Sequence, residues 1–178
     1  MFGHVDAGVL HVRPAIDMKD PEQEKLIRTV PDIGGIHLLI RGNKRHPAAR
    51  ERFLNEIASS SVFERLRHDD NEAFESFLEE RVHCITGEVT EPRFGLTQER
   101  FRALAGQVDA FINSAASVNF REELDKALKI NTLCLENVAA LAELNSTMAV
   151  IQVSTCYVNG KNSGQITESV IKPAGESI

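Results

Sequence analysis

An α/β fold built on a mostly parallel, doubly wound sheet is what this 178-residue sequence predicts, and three observations predict it. Short apolar runs alternate with helically patterned stretches along most of the chain, as β–α–β units require. Two of those runs, Ile36–Ile40 and Met148–Val153, are close to continuously apolar, the pattern of strands buried on both faces of a parallel sheet. Each run breaks abruptly into small, polar or charged residues, and open α/β sheets bind ligands at the carboxyl ends of their strands.

The first segment, Met1 to about Gln23, has no sustained period and is interrupted by Pro14 and Pro21. Val9–Val12 is a possible short strand in what otherwise reads as loop or poorly ordered chain. Glu24–Val30 has helical character and ends at the breaker Pro31–Gly35. Ile36–Ile40 is the first strand, closed by Arg41–Gly42–Asn43–Lys44–Arg45. From Pro47 to about Arg67, Phe53, Leu54, Ile57, Val62, Phe63 and Leu66 fall broadly at helical spacing. Asp69–Asp70–Asn71 offer N-cap chemistry to a helix over Glu72–Glu80, with Phe74, Phe77 and Leu78 on one face.

Val82–Thr86 is the second strand, followed by Gly87–Glu88–Val89 and a loop containing Pro92. Thr97 opens a short helix that stops near Gly106. Val108–Asn113 is the third strand and leads into the small-residue turn Ser114–Ser117. Glu122–Leu144 is the longest helical pattern, with Leu124, Leu128, Leu135, Val138 and Leu141 along its stripe. Met148–Val153 is the fourth strand. It gives way to Ser154, Thr155, Cys156, Tyr157, Asn159 and Gly160; an ordinary strand ending in an ordinary turn accounts for that stretch as well.

This alternation is the grammar of a nucleotide-binding half. Such a half opens with a strand feeding a Gly-rich turn and a helix N-terminus, where backbone N–H groups receive a pyrophosphate. Glu24–Val30 reads as the end of that helix, yet no G-x-x-G-x-x-G precedes it. The fold is therefore expected to be incomplete, with residues 1–23 atypical and residues 24–178 forming a partial domain.

Composition narrows the function classes. Hydrophobic residues at 42% and charged ones at 26% suit a globular chain with its own core. A formal charge of −6 argues against a nucleic-acid partner. Cys84, Cys134 and Cys156 show no C-x-x-C pairing, which fits a reduced, cytoplasmic chain without a zinc site. No apolar run approaches the ~20 residues that cross a bilayer, and the first residues lack the pattern of a signal peptide. The six histidines show no pair at metal-ligand spacing; His37 and His83 read as core or edge residues of their strands.

HLLIRG, ITGEV, INSAASVNF, KINTL and IQVSTCYVNGKNSGQITE, taken together and in this order, resemble the N-terminal domain of fatty acyl-CoA reductases. These belong to the extended short-chain dehydrogenase/reductase superfamily, and the likeness is to the bacterial alcohol-forming type. It runs from about Glu24 to the last residue. The resemblance implies a Rossmann-like domain, NADP(H) as cofactor, and reduction of a fatty acyl-CoA through the aldehyde to a fatty alcohol, the chemistry of wax ester and lipid metabolism. A sugar-nucleotide epimerase of the same superfamily is disfavoured by VNFREELD and STCYVNGK.

Arg41 stands where an NAD enzyme places an acid for the ribose 2′-hydroxyl, and a guanidinium there suits a 2′-phosphate. Lys44 and Arg45 add positive charge; a solvated basic loop is the alternative. By the resemblance, Glu88 and Val89 flank the adenine, with Glu88 a longer acid than the usual aspartate. Ser114, Ala115 and Ala116 leave room for the cofactor, or form a plain tight turn. Asn131 matches the family's structural asparagine, though a mid-helix polar residue can equally be a solvated or helix-packing group, and Val153 closes the cofactor side. Thr155, with Ser154 beside it, matches the hydroxyl that hydrogen-bonds the substrate carbonyl, where a neutral donor stabilises developing negative charge. Tyr157 and Lys161 have the Y-x-x-x-K spacing of a proton-donor dyad, but Val158–Asn159–Gly160 is loop composition, and the resemblance implies a pair well downstream, on the next long helix; with Tyr157 the only tyrosine, that pair is expected beyond Ile178. This chain alone is then expected to turn over little; a non-catalytic nucleotide-binding remnant is the rival reading.

Overall fold

The computed structural model of the chain describes residues 34–155 together with Gly164 and Gln165. Val9–Val12, Glu24–Val30, Cys156, Tyr157 and Lys161 lie outside the described residues.

Strand β1 (Ile36–Ile40) pairs in parallel with β2 (Val82–Thr86), Ile36 opposite Val82 and Ile40 opposite Thr86. Alternation along the pleat sends Leu38, Ile40, Val82 and Cys84 to one face and Leu39 and Ile85 to the other, and each set packs into a different core. The first core is built by helix α1 (Ala49–Arg52), the π-helical stretch Phe53–Ala58 that continues it, α2 (Glu64–Asp69) and α3 (Asn71–Arg81). Phe53, Phe74 and Leu78 bury there against Ile40 and Val82. The Asp70 carboxylate caps α3 by accepting from the Ala73 N–H at 2.9 Å.

The second core lies across the sheet. Helix α4 (Gln98–Ala105) is capped by Thr97, whose hydroxyl accepts from the Arg100 N–H at 3.3 Å, and it ends at Gly106. Strand β3 (Ala110–Asn113) pairs in parallel with β4 (Ala149–Gln152). Between them run α5 (Leu124–Leu128), a π-helical turn (Lys129–Leu133) and α6 (Leu135–Leu144). Phe94, Phe101, Leu104, Val138, Leu141 and Met148 form this core, and Leu39, Ile85 and Phe111 reach it from three strands. Phe94 stacks on Phe111 with centroids 5.8 Å apart.

The two strand pairs run in the same direction. Gln107, at the entrance to β3, lines an open cleft of about 480 Å³ with Gly34, Gly35, His37 and His83 at the entrances to β1 and β2. The exits of the strands, followed by Arg41, Gly87, Ser114 and Val153, therefore lie at the opposite end.

Three expectations are corrected. The pattern from Pro47 to Arg67 is not one helix: it breaks after Ala58, where the Arg67 guanidinium donates to the carbonyls of Ala58, Ser59 and Ser60 and satisfies the broken end. The stripe on Glu122–Leu144 is only half buried. Val138 and Leu141 are inside, whereas Leu124 is 82% exposed, and Leu128 and Leu135 are exposed as well. Strand β4 is not buried on both faces; Ala149–Gln152 are all exposed, because among the described residues one strand and one helical layer flank it.

Candidate functional site

The ends of β1 and β2 come together through side chains. Arg41 donates from Nη1 to Oε2 of Glu88 at 3.3 Å, with Arg41 half exposed and Glu88 a quarter exposed. The backbone beneath this pair is fixed from α1, where Arg52, almost fully buried, donates to the Arg41 carbonyl at 2.6 Å. The Arg52 Nε also pairs with Glu56 at 2.9 Å. Hydrogen bonds from Arg52 and then Asn43 hold the Glu56 carboxyl below the usual carboxylate range. Gly42 is required where it stands: a Cβ there would lie 2.2 Å from the Pro47 carbonyl oxygen. Asn43 closes the turn by accepting from the N–H groups of Arg45 and His46, at 2.9 and 2.6 Å. Lys44 and Arg45 stand exposed on this turn.

The exit of β2 is equally constrained. A Cβ on Gly87 would meet both Leu39 Cδ1 and the Phe94 carbonyl oxygen at 2.5 Å. The Glu88 N–H donates to the Phe94 carbonyl at 3.0 Å. Asn137 of α6 then clamps the loop that follows Glu88 and Val89: its Nδ2 donates to the carbonyls of Val89 and Glu91, both at 2.9 Å, and its Oδ1 accepts from the Arg93 N–H at 2.8 Å.

At the exits of β3 and β4, buried Asn113 donates to Gln152 Oε1 at 2.8 Å, and the Val153 N–H donates to the Asn113 carbonyl at 2.9 Å. The Ser114–Ala116 turn starts here, with the Ala115 N–H donating to Asn113 Oδ1 at 3.4 Å. Asn131 is not on a strand exit. It sits in the π-helical turn and grips Ser117 on both sides, its Oδ1 accepting from the Ser117 N–H at 2.7 Å and its Nδ2 donating to the Ser117 carbonyl at 3.2 Å. It therefore positions the small-residue turn from behind. Val153, Ser154 and Thr155 follow β4 and are exposed.

The residues thus form two groups at strand exits: Arg41, Lys44, Glu88 and Val89 on β1 and β2, and Ser114, Ala115, Ala116, Val153, Ser154 and Thr155 on β3 and β4. Arg52 and Asn137 escaped the sequence reading. Each is a polar residue inside a helical pattern whose partner is a backbone 11 or 44 to 48 residues away, so no local signal marks it. Among the described residues no three His, Cys, Asp or Glu side chains group to hold a metal ion. His37 and His83 are ring neighbours 5.0 Å apart at the opposite, entrance end of the sheet. Burial pushes the thiols of Cys84 and Cys134 up, so both are resting, uncharged groups.

Parallel β–α–β units with polar strand exits define the class, and the known proteins agree. The reductase (R) domain of a nonribosomal peptide synthetase from Mycobacterium tuberculosis superposes with a TM-score of 0.53 at 28% identity, over 75% of this chain and 29% of that one. Among curated relatives, fatty acyl-CoA reductase 2, chloroplastic, of Arabidopsis thaliana is 36% identical over 146 residues, 82% of this chain and 24% of the relative. The alcohol-forming fatty acyl-CoA reductase of Simmondsia chinensis is 32% identical over 163 residues, 87% of this chain and 31% of the relative. The chain thus spans about a quarter to a third of the length of these relatives. Residues 23–177 match the NAD-binding family described as Male sterility protein, and the chain belongs to that family. Its cofactor class is NAD(P)(H).

Proposed function

We propose that residues 24–178 are part of the NADPH-binding domain of a fatty acyl-CoA reductase that forms fatty aldehyde or fatty alcohol. The observation that carries this reading is the Arg41 guanidinium at the exit of β1, held over a turn that also bears Lys44 and Arg45. This donor set fits a nucleotide phosphate: a planar guanidinium for bidentate contact and two further cations within four residues. When bound, NADPH supplies the hydride. The chain's own part is to bind and orient. Arg41 and Lys44 take the 2′-phosphate, and Glu88 and Val89 edge the adenine. Ser114, Ala115 and Ala116, followed by the Ser117 that Asn131 grips, let the dinucleotide approach. Val153 borders it, and the Ser154 and Thr155 hydroxyls point hydrogen-bond donors at the substrate carbonyl.

Acyl-CoA is the substrate this reading assigns, on the strength of the relatives named above. Two free thiols, Cys84 and Cys134, suit a reducing cytoplasm, and no helix among the described residues is long and apolar enough to cross a membrane. The test is a fluorescence titration with NADPH and NADH. Arg41→Ala is expected to weaken NADPH binding about tenfold or more, the worth of a charge-assisted hydrogen bond, and to leave NADH binding within about twofold. Equal loss for both nucleotides would remove the 2′-phosphate assignment.

A further inference from the structure

We propose that His37 and His83 form a two-imidazole chelate for a divalent transition-metal ion of the zinc, nickel and copper kind, at the entrance end of the sheet. The parallel ladder brings the pair together. His37 of β1 stands directly opposite His83 of β2, so both side chains leave the same face of the pleat. Two residues further along each strand on that face, Leu39 and Ile85 enter the second core. The backbone beneath the two rings is therefore anchored by packing.

The ring spacing is that of two ligands to one ion. The centroids are 5.0 Å apart and the planes are tilted by 39°. A metal–nitrogen bond of about 2.1 Å, extended by about 1.1 Å to the ring centre, puts each centroid about 3.2 Å from the ion. Two such arms meeting at about 90–110° hold their centroids about 4.5–5.2 Å apart. There is also room for the rest of a coordination shell. The rings line a cleft of about 480 Å³ with Gly34, Gly35 and Gln107, enough for an ion and its waters. Gly35 keeps the edge of the His83 ring clear, since a Cβ there would stand 3.3 Å from both Cδ2 and Nε2.

The ring nitrogens are available for ligation. Among the described residues neither imidazole has a hydrogen-bond partner. Burial, and then His83, hold the His37 pKa below its ordinary value, so this ring is neutral near pH 7, the form that binds metal. No carboxylate stands among the described residues that line the cleft, and the Arg81 guanidinium donates to the Gly34 carbonyl at 2.9 Å. Coordinate bonds, rather than a negative field, then set the affinity. An ion held by both rings ties β1 to β2 through side chains and stabilises the folded chain by mass action.

Isothermal titration of the full chain with Ni²⁺ near pH 7.5 tests this; imidazole suits nickel, whereas thiolates select other metals. Free Ni²⁺ at about ten times its Kd is expected to raise Tm by about 3–6 °C. His83→Ala changes an exposed side chain and is expected to keep the fold. It should weaken Ni²⁺ binding about tenfold or more, His37→Asn should do the same, and the double variant should fall no further, because one ion needs both rings. Losses that simply add would assign the rings to two separate ions and overturn the chelate. Unchanged affinity in His83→Ala would overturn it too, as would a nickel-loaded chain that sediments as a dimer, which would place the ion between copies. If His37→Asn fails to fold, His83→Ala decides alone, by the loss or survival of nickel binding and of the rise in Tm.

Discussion

Glu88 and a phosphate would compete for the same guanidinium. At 3.3 Å and substantially exposed, the Arg41–Glu88 pair is worth at most about 1 kcal/mol, because water screens it. That is enough to lower the affinity for a nucleotide phosphate several-fold without blocking it. Glu88→Gln is therefore expected to tighten binding of 2′,5′-ADP relative to 5′-AMP about two- to fivefold, which isothermal titration would show; the gain should shrink at high salt. A second residue-scale effect concerns pH. Burial, and then the neighbouring His83, lower the His37 pKa. Between its folded value and about 6.5, the ordinary value, the unfolded chain binds a proton that the folded chain refuses. Folding stability therefore falls as pH drops through that window. Denaturant midpoints measured across it should fall for the wild type and fall less for His37→Asn. Arg41 could be picked out from sequence because its meaning depends on following a strand. That Glu88, 47 residues away, is its partner could not be read there.

At the scale of elements, the loop after β2 stores strain for a reason the packing makes plain. Arg93 and Phe94 adopt left-handed backbone, φ 56° and 59°, although neither is glycine. Phe94 is driven there by burial in the second core between Phe101 and Phe111, and the Asn137 amide holds the Arg93 N–H. Left-handed backbone costs a non-glycine residue roughly 1–2 kcal/mol. Arg93→Gly, which spares the backbone bonds to Asn137, should raise stability by about 0.5–1 kcal/mol in equilibrium denaturation. Caps were legible here: Asp70, Thr97 and Gly106 mark α3 and α4 within a residue. The π-helical stretches at Phe53–Ala58 and Lys129–Leu133 were not. In the second, the Asn131 amide is engaged by Ser117, 14 residues back in the chain.

The whole molecule divides its burial between two cores on opposite faces of the strands. Leu141 is fully buried in the second, among Phe94, Phe101 and Met148. Leu141→Ala should cost about 2–5 kcal/mol by lost transfer energy and the cavity left behind. Leu124→Ala, on the same helical pattern but 82% exposed, should stay within about 0.5 kcal/mol. Paired denaturation curves for the two variants would separate a buried stripe from a bare one, a distinction that periodicity does not make. Period shows that a face is apolar; what covers it depends on the neighbours that tertiary folding provides.

Sequence alone determined the alternation of strand and helix, the polar residues that follow each strand, and the capping residues, because period, cap chemistry and β-branching act over a few neighbours. Tertiary structure alone decided that Arg41 meets Glu88, that Asn131 and Asn137 grip turns far along the chain, and that, among the described residues, β3 and β4 form a ladder separate from β1 and β2. Those outcomes depend on which backbone groups and apolar faces are brought within a few ångströms of one another, and distance in space is not written in distance along the chain.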